Sequence, residues 1–318
     1  MRNCSVLITD LDNTLWDWLS VWFASFSALL AKVHEISGIP LEKLEAEIKA
    51  VHQRHQTSEY ALLLEELPSL QALHPNGNIV EIYDEAIHAH RSARKATLQL
   101  YPGVAETLQH AKARGAILVG YTESMAFYTS DRLRRTGLDS VLDFLYSAPD
   151  HELPQGMTAE PLRKYPAKHY ELAKTQHRHT PKGALKPNPE LLRQIMADVG
   201  ASPEETVYVG DNLLKDVVMA QRAGVTDVWA KYGQAINGPD YEQLKRVTHW
   251  TPQAVVAESE LKPEDVKPTD TIMSFSELRA RFAFRSPGRL GETAKRQPAP
   301  QLGPASPGRR SGSCDPIA

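Results

Sequence analysis

Val6-Leu7-Ile8-Thr9-Asp10-Leu11-Asp12-Asn13-Thr14-Leu15-Trp16 is the stretch on which the reading of the chain turns. Its opening is apolar and β-branched, the make-up of a buried strand. The run ends in two aspartates one residue apart. Side chains alternate across a strand, so Asp10 and Asp12 can point the same way from its last residues. Two carboxylates placed there repel each other and lose hydration unless a cation lies between them. A hard, oxygen-seeking ion such as Mg²⁺ is the natural partner. Asp and Asn are also good turn formers, so the stretch alone is equally a strand followed by a polar turn. The rest of the chain decides.

From Trp16 to about Leu100 the pattern is helix after helix. Leu19, Trp22, Phe23, Phe26, Leu29, Leu30 and Val33 form one helical stripe, with small residues opposite and Asp17 and Lys32 at the ends. That arrangement reads as a packed core helix, not a membrane element. Leu41, Leu44, Ile48 and Val51 keep helical spacing, as do Leu62, Leu63, Leu67 and Leu70, and a helical pattern resumes from Ile79 to about Leu98. His52 and His55, also at helical spacing, read as a solvated face.

The texture changes at Tyr101. A helix from Val104 to Arg114 stops at Gly115, and Ala116 to Tyr121 is a buried strand closed by Thr122. Phe127 to Thr136 reads as helix and Val141 to Tyr146 as strand; Pro189 to Val199 is helix. Thr206 to Val209 is a strand running into Gly210-Asp211, followed by a helix to Ala223 and a last strand over Asp227 to Lys231. Strands separated by helices imply a doubly wound parallel sheet, an α/β fold, whose ligands gather beyond the carboxyl ends of the strands. Residues 148–183 form a Pro-rich interruption with an internal helix at Ala167 to Thr175, and His177 and His179 there read as solvated rather than as a metal pair. The expected organisation is thus an α/β core of residues 1–15 and 101–250, a helical block at 16–100, a C-terminal extension of the core at 251–284, and a disordered, Pro-, Gly- and Arg-rich tail at 285–318.

Composition excludes several classes. The formal charge of −3 divides into +4 from Arg285 onward and −7 before it, and an acidic body argues against nucleic acid. The only cysteines, Cys4 and Cys314, rule out a disulfide framework or a thiolate zinc site and suit a reducing, cytoplasmic setting. No secretory signal and no membrane segment are expected.

Three further features fall where strand ends should meet Asp10 and Asp12: Thr122, Lys186 ahead of Pro187-Asn188-Pro189, and Asp211 with Asp216 five residues on. Singly they are a turn threonine, a solvated lysine and an N-cap aspartate. Together they make a cation and phosphate site. The order and spacing from about Cys4 to Gly233 resemble the haloacid dehalogenase superfamily in its phosphatase branch. Asp10-Leu11-Asp12-Asn13-Thr14 matches DxDxT, Thr122 the second motif, Lys186 the third, and Gly210 to Asp216 matches GDxxxxD. The helical block after the first motif looks like that family's mobile cap.

The resemblance implies a Mg²⁺-dependent phosphomonoesterase for a small phosphorylated metabolite. Asp10 would be the nucleophile and Asp12 the general acid and base. Mg²⁺ would be held by Asp10, the Asp12 carbonyl and Asp211. Thr122, Glu123 and Lys186 would hold the phosphoryl group, with Asp216 orienting Lys186. Glu123 departs from the family's usual Asn or small residue, and Asp17 and Ser20 are the expected cap contacts with substrate. A phosphomutase, a phosphonatase or a non-catalytic phosphate-binding protein on the same fold are the alternatives.

Overall fold

The structure, a computed structural model, describes residues 1–152, 166–234, 238–251, 253, 256 and 263–287. Two strands, β1 (Arg2–Cys4) and β2 (Val6–Thr9), open the chain. Then come α1 (Trp18–Ser37), α2 (Leu41–His55), α3 (Pro68–Leu73), α4 (Ile79–Ile82) and α5 (Asp84–Thr97). The α/β part follows as α6 (Val104–Ala113), β3 (Ile117–Met125), α7 (Ala126–Arg135), β4 (Phe144–Ala148) and β5 (Gln176–His179). It continues with α8 (Pro189–Asp198), β6 (Thr206–Gly210), α9 (Met219–Ala223), β7 (Thr226–Ala230) and α10 (Pro239–Val247). Strands β8 (Asp270–Ile272) and β9 (Phe282–Phe284) come last.

Seven strands form one parallel sheet in the order β5-β4-β3-β2-β6-β7-β8. The first of them in sequence, β2, is central. The chain winds outward from it to β5, then returns to start again at β6 on its other side. That reversal opens a crevice beyond the carboxyl end of β2, where the two neighbouring connections diverge. The sheet is covered on both faces because its residues alternate. Leu7, Leu118, Leu145, Val207, Val209 and Val228 pack with α6, whereas Val6, Ile8, Val119, Tyr121 and Tyr208 pack with α8 and α9.

The helices from α1 to α5 make a separate layer whose crossings to the sheet lie side by side. Trp16 forms an antiparallel bridge with Leu100, and Tyr101 N–H donates to Leu15 C=O at 2.9 Å. Within the layer the aromatic stripe of α1 is buried as its periodicity requires. Trp22 stacks on Phe26 at 4.7 Å between centroids, among Leu44, Ile48, Leu67 and Tyr83. Among the described residues no helix is long and apolar enough to cross a membrane.

Several expectations need correction. Helix α10, placed with the core by its position in sequence, buries Tyr241, Leu244 and Val247 in the hydrophobic cluster of the helical layer. It is further tied there by Ser27 Oγ to Gln243 (2.8 Å) and Arg246 to Glu45 (2.9 Å). His52, expected on a solvated face, is buried, and its Nδ1–H donates to the Val247 carbonyl at 2.7 Å; burial holds its pKa down at about 4. The strand expected at Val141 begins only at Phe144, because Leu138–Ser140 is a 3-10 turn that supplies core residues first. The helix expected over Ala167 to Thr175 is a single 3-10 turn, Ala167–Tyr170, and β5 follows it. His177 of that strand bonds Ser147 Oγ at 2.7 Å. Strand β7 is not the last, since β8 extends the sheet and β9 pairs with β1. Arg285, expected to start the disordered tail, donates its N–H to Cys4 C=O at 3.1 Å; residues 288–318 and 153–165 lie outside the described part.

Three substitutions test this packing. Phe26→Ala and Leu244→Ala each remove a large side chain from one shared core and should lower the unfolding free energy by roughly 3–5 and 2–5 kcal/mol. Denaturant titration measures both; an unchanged midpoint for Leu244→Ala would detach α10 from the helical layer. Asp17 is the N-cap of α1, accepting Ser20 N–H at 2.9 Å and Ser20 O–H at 2.7 Å. Asp17→Ala should therefore cost about 1 kcal/mol, read as a lowered melting temperature.

Candidate active site

Asp10 immediately follows β2, and its N–H is anchored to Val209 C=O at 2.8 Å. Its carboxylate faces Lys186, whose Nζ is 2.6 Å from Asp10 Oδ1 and 3.0 Å from Asp216 Oδ1. All three side chains are buried. The rings of Tyr121 and Tyr208 flank the ammonium at 4.8 and 5.6 Å. Burial alone would drive the proton off Lys186, but Asp10 and Asp216 outweigh it and hold its pKa well above the ordinary value. Burial pushes the Asp10 carboxyl up to about 7, opposed by Lys186 and reinforced by Asp216.

Asp216 lies on a π-helical turn, Leu213–Val218. Both its oxygens are engaged: Oδ1 accepts from Lys186 and Tyr208 O–H (2.8 Å), and Oδ2 from Asn212 N–H (3.0 Å). The turn brings Asp216 back so tightly that a Cβ on Gly210 would lie 2.3 Å from its carboxyl carbon. Asp211 follows β6 directly. One carboxylate oxygen from each of Asp10, Asp211 and Asp216 lies within 4.8 Å of the others. The Thr14 hydroxyl donates towards Asp10 at 3.2 Å and Asp211 at 3.5 Å. Hard-oxygen donors, two buried and one half-buried, facing a single ammonium fit a divalent cation. Asp10 and Asp211, directly after β2 and β6, could hold it, while Asp216 is taken up by Lys186, Tyr208 and the Asn212 N–H.

Asp12 is not in that group. Its carboxylate turns aside to accept from Trp16 Nε1–H (2.7 Å), Ser124 Oγ–H (2.5 Å) and Arg132 (3.3 Å). Only its main chain could serve a metal beside Asp10. Thr122 is buried inside a strand that runs on to Met125, with its register broken between Tyr121 and Met125, and not at a strand end. The Glu123 carboxylate is engaged by Lys186 N–H (2.7 Å) and Lys215 Nζ (2.8 Å). Burial works against its charge, but Lys215 and Lys186 prevail and hold its pKa low. An anion so placed steadies the Lys186 backbone; only the Glu123 main chain could meet a phosphoryl oxygen. Asp17 and Ser20, expected to contact substrate, are bonded to each other at the start of α1.

The site also rests on residues that motif reading missed. Tyr232 O–H donates to Thr14 C=O at 2.6 Å and Trp229 Nε1–H to Asp211 C=O at 2.8 Å, so the end of β7 braces both aspartate loops. Gly233 lies against the turn at Asn13, where a Cβ would meet the Asn13 carbonyl oxygen at 1.7 Å. Asn13 itself has φ 61°, and its side chain accepts Leu19 N–H at 3.1 Å, coupling the turn to α1. The available signal was Trp229, Tyr232 and Gly233 clustered at a strand end, which only the closing of the fold connects to Asp10. Arg132 and Glu59 carried no local signal.

Comparison with known proteins adds to this geometry. The chain is 28% identical over 149 residues to the glyceraldehyde 3-phosphate phosphatase of Methanopyrus kandleri, covering 47% of this chain and 51% of that protein. It is 29% identical over 163 residues to the pyrophosphatase PpaX of Halalkalibacterium halodurans, covering 51% and 59%. The chain thus spans about half the length of these curated relatives. Its fold is like that of a 2-haloacid dehalogenase from Pseudomonas syringae pv. Tomato, with a TM-score of 0.50 and 20% identity over 88% of this chain and 97% of that one. The model of haloacid dehalogenase-like hydrolases matches residues 4–224, and the chain belongs to that family.

Proposed function

We propose that the protein is a Mg²⁺-dependent phosphomonoesterase acting on a small phosphorylated metabolite through an aspartyl-phosphate. The observation that carries this reading is the buried Asp10 carboxylate, 2.6 Å from Lys186 and within reach of Asp211, with a second, separately held carboxylate at Asp12. Asp10 attacks phosphorus, forming an acyl phosphate on its own oxygen as the phosphorus–oxygen bond to the leaving group breaks. Asp12 gives that oxygen its proton, then takes one from the water that hydrolyses the acyl phosphate. Lys186, fixed by Asp216, and Thr122 hold the equatorial oxygens as charge moves onto them. A Mg²⁺ ion on Asp10 and Asp211 would offset the repulsion between nucleophile and anionic substrate.

Asp12 favours phosphate chemistry over dehalogenation, since halide departure needs no proton donor. The helical layer supports a small substrate. Helix α1 leaves the motif loop four residues after Thr14, and Glu59 of the layer reaches Arg132 beside Asp12. Such a roof excludes water and bulky substrates and must open to release product. The names of the two curated relatives, a phosphatase and a pyrophosphatase, support phosphohydrolase chemistry, and the first supports a phosphomonoester.

Calorimetry of the metal-free protein should show one Mg²⁺ site that Asp211→Asn abolishes, and p-nitrophenyl phosphate turnover should stop in chelator and return with Mg²⁺. Full turnover in chelator would sink the metal assignment. Asp10→Asn should lower turnover by ~10³-fold or more. Asp12→Asn should lower kcat/KM for an alkyl phosphate by ~10²–10⁴-fold but spare much of that for an aryl ester, whose leaving group needs little protonation. Rate measurements on both esters decide this, and wild-type rates in Asp10→Asn would refute the mechanism.

A further inference from the structure

The Arg132 side chain is only 3% exposed, yet neither a sequence motif nor the chemistry above accounts for it. It projects from the buried side of α7, beside Thr129, Ser130 and Leu133. One terminal nitrogen contacts Asp12 Oδ1 at 3.3 Å, and the other is bonded to Glu59 Oε1. Asp12 belongs to the motif loop of the sheet; Glu59 belongs to the helical layer, in the loop after α2. Glu59 also accepts Trp18 Nε1–H at 3.3 Å, and the Tyr128 ring lies beneath the guanidinium at 6.0 Å.

A buried guanidinium needs counter-charges, and this one takes one from each layer. Its planar fork presents a separate nitrogen to each carboxylate in a fixed geometry. Burial pulls the Arg132 pKa down, but Glu59 and then Asp12 more than restore it, so the group stays charged. On the other side of Asp12, Trp16 and Ser124 complete a three-donor cradle, and Trp16 is also the residue bridged to Leu100 where the layer joins the sheet. If Glu59 withdraws with the helical layer, Arg132 loses one of its two anions and Asp12 faces an altered partner.

We propose that Arg132 is the positioning residue for Asp12 and that it couples the Asp12 carboxylate to the helical layer through Glu59. This deepens the phosphatase reading and rests on it for its kinetic consequence: Asp12 is correctly placed for proton transfer only when the layer is seated. The structural half stands without any turnover.

The test uses the full chain as wild type, Arg132→Gln and Glu59→Gln. In the ¹⁵N spectrum of the apoprotein, the Trp16 indole N–H, assigned with Trp16→Phe, reports on its Asp12 partner. It should shift in both variants and stay in place in Trp18→Phe, which removes the Glu59–Trp18 hydrogen bond and so controls for a path through the Trp18 N–H to Trp16 C=O bond. In parallel, kcat/KM is measured for glycerol phosphate and p-nitrophenyl phosphate. Both variants should lose at least about tenfold more on the alkyl ester than on the aryl ester. Merely loosened packing would lower both esters alike. An unmoved Trp16 resonance in Glu59→Gln, or equal losses on the two esters, overturns the proposal. Should Arg132→Gln fail to fold, Glu59→Gln, which keeps Arg132 paired with Asp12, carries both readouts alone. If wild type hydrolyses neither ester, the phosphatase reading fails and the Trp16 resonance still decides the coupling.

Discussion

The ammonium of Lys186, buried between Asp10 and Asp216, is the contact on which the rest of the site depends. A lysine with a side chain 3% exposed is tolerated only because two carboxylates compensate for its lost hydration, and they are tolerable for the same reason. Each partner comes from a different connection: Asp10 from the end of β2, Asp216 from the π turn after β6, Lys186 from the loop before α8. The charges meet because β2 is central in the sheet and the chain reverses there. Gly210 must lack a side chain for Asp216 to fold back, and Glu123 must be acidic to hold the Lys186 backbone and Lys215 together. The departure of Glu123 from its family's habit thus has a structural reason in this chain.

Asp10 and Asp12, two carboxylates one residue apart, lie in different surroundings. Asp10 is set between Lys186 and the Asp211 side, where negative charge accumulates and a divalent ion fits. Asp12 is turned towards an indole, a hydroxyl and a guanidinium, each a donor. In the proposed reaction this difference in environment is what would separate nucleophile from proton carrier.

The helical layer is held to the rest of the chain by more than its two connections. Helix α10 lies in its core, His52 is bonded to Val247, and Ser58 meets both Thr248 and His249 at 3.1 Å. Trp250, at the end of the same segment, has Lys215 over its ring at 5.9 Å, next to Glu123. Any opening of the layer must therefore carry α10 along or break these bonds. This adds a tether between the roof and the Lys186 side of the site, opposite in character to the Arg132–Glu59 contact with Asp12.

Legible in the residues alone were the α/β class, the helical block between Trp16 and Leu100, and the meeting of Asp10, Asp211, Asp216 and Lys186. These are properties of local pattern: short continuous apolar strands, a 3.6-residue aromatic stripe, and polar residues near strand ends whose neighbourhood a doubly wound sheet dictates. Tertiary structure alone decided where α10 belongs, because an amphipathic helix declares that it has an apolar face but not which cluster receives it. It decided that His52 is buried and that the Glu123 carboxylate meets two lysines. It alone paired Arg132 with Asp12 across 120 residues and with Glu59 across 73. An arginine on a helix reads as solvated until a carboxylate from elsewhere is brought against it, and that distance in sequence carries no local pattern.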